Sequence, residues 1–99
     1  MTTRFTSMQD VQRKAPVELA EHVRRSRELH QMGRLVMAGA FLDEPGRAVR
    51  TMGILVSEAD AEDFVEHDPF VVADMIERWD IAPWANIFAP PTSAGPTQA

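Results

Sequence analysis

From Val17 to Met32 the chain alternates apolar and charged positions with a period near 3.6, which predicts an amphipathic helix. Pro16 suits its first turn, and Gly33 is a C-cap by type and position. On this helix Leu19, Val23 and Leu29 fall on one side, with Glu18, Glu21, Arg24, Arg25 and Glu28 largely opposite. The pattern then changes. Arg34 to Leu42 is almost continuously apolar, as a central strand is, and Gly39 inside it suggests a bulge or a close approach. Asp43-Glu44-Pro45-Gly46 has turn chemistry, and Ala48 to Val56 supplies the second arm of a hairpin.

Ser57, with Asp60 three residues on, resembles a capping box and opens another helix whose inner face is Ala61, Phe64 and Val65. Asp68-Pro69 closes that helix and starts a short helical segment, Phe70 to Met75. Residues 4–11 read as a short first strand. Arg78 to Ile87, with Trp79, Ile81 and Trp84, reads as the last strand, with Pro83 at an edge or bend. From Ala89 onward Pro, Thr, Ser, Ala and Gly cannot build a core, so one domain over 1–88 and a disordered tail over 89–99 are expected.

The predicted order is strand, helix, strand, strand, helix, strand. Right-handed crossovers put both helices on one face of a four-stranded antiparallel sheet, the ferredoxin-like α+β arrangement. The other sheet face is then bare, and two sheets packed face to face would cover it. A 99-residue chain has a thin core, so dimerisation is a natural remedy.

Composition narrows the function. The net charge is −5, and nine arginines and one lysine are outnumbered by interleaved acidic residues, which argues against a nucleic-acid partner. Without cysteine there is no disulfide framework, thiolate nucleophile or cysteine-based metal site, and a reducing compartment fits. Neither a signal-peptide core nor an apolar run of about 18 residues is present, so no membrane partner is expected and the protein is read as cytoplasmic.

The chemistry concentrates on His22, Ser26 and His30, which lie at i, i+4 and i+8 on the apolar side of the predicted helix. An imidazole titrating at about 6.5 suits proton transfer, and a carboxylate on its second nitrogen would orient it. The alternative for His22 is a buried ring bonded to a backbone carbonyl. Asp68 is a candidate for that carboxylate and equally a helix N-cap ahead of Pro69; one carboxylate can do both. His67 competes for the same role, although nothing in the pattern turns it inward. Ser26 and His30 are expected to contact substrate. His22 and His30 stand two turns, about 12 Å, apart, too far to share an ion, so no metal site is expected. Arg24, Arg25 and Arg27 read as a solvated face. P-loop, dinucleotide-binding, nucleophile-elbow and zinc-protease motifs are all absent.

His22 followed by Gly33, the Ala38-Gly39 step, the Ser57-to-Phe64 helix, Asp68-Pro69-Phe70 and the closing Ile81-Ala82-Pro83-Trp84 together resemble the YCII-related family, over roughly residues 17 to 85. The resemblance implies ferredoxin-like subunits pairing as a dimeric α/β barrel. It also implies an active site built on His22 and Asp68. The chemistry it suggests is lyase or isomerase proton transfer on small cyclic metabolites, as in the fold relative muconolactone isomerase, with no cofactor. Two features depart from the family: Ala40 stands where proline is common, and the N-terminal segment is more polar than the usual first strand. The expectation is therefore a small homodimeric enzyme acting on a small-molecule ligand through His22 and Asp68. The alternatives are a non-catalytic ligand-binding or interaction domain and, without specific support in the residues, a haem-degrading relative.

Overall fold

In the computed structural model residues 1–42 and 46–88 are described. The elements are β1 (Thr2–Thr3), α1 (Met8–Lys14), α2 (Pro16–Gln31), β2 (Leu35–Ala40), β3 (Thr51–Leu55), α3 (Glu58–His67), α4 (Pro69–Val72) and β4 (Ile76–Arg78). β1 pairs antiparallel with β4, and β2 with β3. An antiparallel bridge between Thr2 and Arg50 joins the two ladders. Backbone bonds from Thr3 N–H to Val49 O (2.9 Å), Val49 N–H to Phe5 O (2.8 Å) and Thr51 N–H to Met1 O (2.8 Å) extend that junction. The resulting order is 4-1-3-2, that of the ferredoxin-like α+β fold, built here from two small two-stranded ladders.

α2 begins at Pro16 and ends in a Schellman turn: Gly33 at φ +76° lets its N–H reach His30 O, and Arg34 N–H reaches Leu29 O. Of the expected Leu19, Val23 and Leu29 side, Leu19 and Leu29 pack inward and Val23 is exposed; His22, Arg25 and Ser26 complete the row that faces the protein. Leu29 packs with Leu35 of β2 and Phe64 of α3 in one buried cluster, and Phe5, Val11, Ala15, Phe70 and Ile76 form a second. Met1 touches both clusters.

Several expected boundaries are corrected. Residues 4–11 are not a strand. Ser7 Oγ accepts Asp10 N–H at 2.9 Å, which caps α1 and places Val11 and Ala15 one turn apart in the core. The last strand is Ile76–Arg78 rather than Arg78 to Ile87, because the two-residue β1 offers a short edge and Trp79, Trp84 and Ile87 are exposed. The short helix spans Pro69–Val72 and not Phe70 to Met75, since Asp74 at φ +57° ends it. Gly39 is neither a bulge nor a close approach. It pairs in register with Met52, a Cβ there meets nothing within 4 Å, and the irregularity lies between Leu35 and Met37. The second arm of the hairpin is regular only over Thr51–Leu55. The expected turn residues Asp43, Glu44 and Pro45, and the tail from Ala89, lie outside the described residues.

Candidate functional site

Asp68 stands between two helices, as C-cap of α3 and N-cap of α4. Pro69 makes this junction sharp: an X-Pro step holds Asp68 in extended backbone (φ −65°, ψ 131°) while the proline starts the next helix. The carboxylate thereby turns inward, where it is 1% exposed, the largest fully buried side chain among the described residues. Its Oδ2 accepts the N–H of Phe70 at 3.1 Å. Its Oδ1 lies 2.5 Å from Nδ1 of His22. The two roles weighed for Asp68, cap and histidine partner, are both filled, one by each oxygen.

A buried carboxylate with one backbone donor needs a second donor, and the ring Nδ1–H supplies it. An ionised carboxylate only accepts, so a neutral ring that bonds it through this nitrogen does so as the Nδ1–H tautomer. The ring is held on two sides by aromatic groups. Phe70 lies 5.1 Å away between centroids at 48°, and Phe64 6.2 Å away, edge-on at 79°. The His22 side chain is 20% exposed, and among the described residues Nε2 has no hydrogen-bonding partner. An oriented imidazole with its far nitrogen free can take up a proton and return it.

Ser26 follows His22 by one turn. Its Oγ is buried and has no hydrogen-bonding partner among the described residues. His30 is exposed, and its Nδ1 lies 2.8 Å from Leu35 O, a tie to the start of β2. His67 is exposed beside Asp63 on α3 and does not reach the pair. No group of three or more His, Cys, Asp or Glu side chains among the described residues is placed to hold a metal.

Arg25 corrects the solvated-face reading. Its side chain is 18% exposed and spans from α2 to the end of α3, with Nη1 donating to Phe64 O at 2.9 Å and Nη2 to Asp63 O at 3.0 Å. Arg24 keeps to the surface, between Glu21 and Glu28. The Met1 ammonium is near the site as well. Burial pulls its pKa below the usual 8.0, opposed by the charges of Asp80 and Asp68. Sequence reasoning missed Arg25 because its partners are mainly main-chain carbonyls, which residue types do not announce.

The model of the YCII-related domain matches residues 5–85. The chain belongs to the YCII-related family. Neither the curated proteins nor the solved structures hold a significant match. In this chain His22 and the aspartate of Asp68-Pro69-Phe70 are in direct contact. No described helix is long and apolar enough to cross a membrane.

Proposed function

We propose that this YCII-related protein is a homodimeric lyase or isomerase that moves a proton on a small cyclic metabolite, with His22 as the acid/base group and Asp68 as its orienting partner. The observation that carries the reading is the contact of 2.5 Å between His22 Nδ1 and a carboxylate that is itself 1% exposed and anchored on Phe70 N–H. In the forward step Nε2 takes a proton from a carbon acid or ring hydroxyl, and the imidazolium so formed is stabilised by Asp68. In the return step Nε2 delivers a proton, the abstracted one or one exchanged with solvent, to the neighbouring atom of the intermediate or to its leaving group. Phe64 and Phe70 pack against the ring and help to hold its plane. The scheme calls on no cofactor. Ser26, on the same helix face, is the side chain assigned to substrate contact, and His30 serves to hold β2.

The dimer is supported by the sheet face away from the helices. Met37, Phe41 and Met52 are 61%, 45% and 46% exposed, and Gly39 lies open between them. Alternation along the paired strands puts these residues on one side, a contiguous apolar patch of the kind that marks an interface.

The reading is tested without knowing the natural substrate. Small cyclic ketones and lactones are incubated with the protein in D2O, and the exchange of C–H for C–D is followed by NMR. Exchange that is abolished in His22→Gln and reduced by about 10²-fold or more in Asp68→Asn is the expected result, the range typical of a general base. Exchange that survives in folded His22→Gln contradicts it. Compounds that bind tightly without exchange would instead favour the non-catalytic ligand-binding alternative.

A further inference from the structure

We propose that Arg25 is a positioning residue for the His22–Asp68 pair, fixing the end of α3 so that the Asp68 carboxylate meets the His22 ring; this rests on the acid/base reading above. The last carbonyls of a helix lack intrahelical partners. Asp68 N–H turns to Val65 O, at a long 3.4 Å, which leaves Phe64 O, one residue earlier, without the cap's N–H. Arg25 Nη1 fills that acceptor at 2.9 Å. Nη2 takes the adjacent Asp63 O at 3.0 Å and the Asp63 carboxylate at 3.3 Å. A cation among helix C-terminal carbonyls also opposes the negative end of the helix dipole.

The guanidinium carbon lies 5.3 Å from the centre of the Phe64 ring, the same ring that packs edge-on against His22. His22 and Arg25 are one turn apart on α2, and their partners, Asp68 and Phe64, are about one turn apart at the end of α3. The two helices are thus joined at two neighbouring rungs. Asp68 is the first residue past α3, so any slackening of its last turn moves the carboxylate directly. The rung demands arginine. One planar fork bridges two carbonyls and lies against an aromatic ring, whereas a lysine ammonium is a point donor on a flexible stem.

A clamp that only stabilised the fold would leave the His22 ring unchanged. The test therefore reads the ring itself, by two-bond ¹⁵N–¹H correlation for the tautomer and by solvent exchange of the Nδ1 proton. The variants are Arg25→Met, Arg25→Lys and, as a control, Arg34→Met. Arg34 binds Asp60 in the first turn of α3, with Nε at 2.7 Å, and its Nη2 stands 3.7 Å from the Asp63 carboxylate. The Asp63 and Phe64 carbonyls bond Arg25, so the loss of Arg34 weakens the same helix and leaves the carbonyl clamp in place. In Arg25→Met the Nδ1 proton should exchange about tenfold faster than in Arg34→Met, the ratio expected when roughly one charge-assisted hydrogen bond stops holding the carboxylate in place. Arg25→Lys should fall between Arg25→Met and wild type, and it decides the question alone if Arg25→Met does not fold.

An Arg25→Met or Arg25→Lys protein that is destabilised as a whole but keeps the wild-type tautomer and exchange rate overturns the proposal. If wild-type His22 carries its neutral proton on Nε2, the acid/base reading itself fails and the proposal with it. If wild type is the Nδ1–H form, Asp68→Ala loses it and Arg25→Met does not, only the role of Arg25 is refuted.

Discussion

Asp68 does two jobs with two oxygens, and substitutions can pull them apart. Asn keeps an acceptor for Phe70 N–H but removes the charge facing His22; Ala removes both. Asp68→Ala should therefore lose about 1 kcal/mol more stability than Asp68→Asn in urea unfolding, the worth of a helix N-cap. Equal losses would mean that the cap contributes nothing. Ser26 is a second case at this scale. Its buried Oγ has no hydrogen-bonding partner among the described residues, and an unmade hydrogen bond is a penalty in the folded state. Ser26→Ala should leave the unfolding free energy in urea unchanged or raise it by up to about 1 kcal/mol, and a loss of that size would reveal a partner for the hydroxyl. At this scale the sequence was informative about His22 and Asp68: a histidine on an inward helix face and an aspartate ahead of proline have few places to go. It was uninformative about Arg25, whose type is equally at home in solvent and whose contacts are made chiefly to carbonyls.

The helices and the hairpin followed from period and punctuation. Pro16, Gly33 and Ser57 mark boundaries the structure keeps to within a residue. The exception was α1. Its Ser7-x-x-Asp10 cap is a helix signal, and Val11 and Ala15 at i, i+4 agree with it, but a seven-residue helix is too short for the apolar period to stand out. Its cap also makes a pH prediction. The Thr6 N–H bond, followed by Lys14 and Arg13, holds the Asp10 carboxyl below its ordinary value of 3.8. A carboxylate depressed in the folded state contributes stability above its unfolded pKa and loses it as the pH falls through the folded one. Thermal midpoints taken from about pH 6 down to about pH 2 should fall less steeply in Asp10→Asn than in wild type, with the difference confined to the acid end. Parallel curves would show that Asp10 is not held by these partners. The last strand was misplaced for a different reason: Trp79, Ile81 and Trp84 look like a buried strand by hydrophobicity, yet both tryptophans are exposed, and pairing is limited by the length of β1.

For the whole molecule, strand order 4-1-3-2 and helices on one side leave an apolar sheet face uncovered. Element order alone was enough to anticipate this, because right-handed crossovers allow few other arrangements. Which residues populate the bare face depended on register, and the irregularity between Leu35 and Met37 shifts it in a way that no composition rule shows. The homodimer reading makes a direct prediction. The protein should run at about twice its 11.1 kDa mass in light scattering. Met37→Glu should reduce that to the monomer while preserving the circular dichroism of the folded chain. A wild-type monomer at high concentration, or a Met37→Glu dimer, would rule out this face as the interface.

The acid/base role of His22 turns on one proton. The neutral His22 ring carries it on Nδ1, facing Asp68, if Nε2 is the nitrogen that exchanges with substrate. A two-bond ¹⁵N–¹H correlation spectrum of the wild-type protein at a pH where the ring is neutral locates it, with Asp68→Ala as the comparison. The account predicts the Nδ1–H form in wild type and its loss in Asp68→Ala. A wild-type ring protonated on Nε2, unchanged by Asp68→Ala, would contradict it.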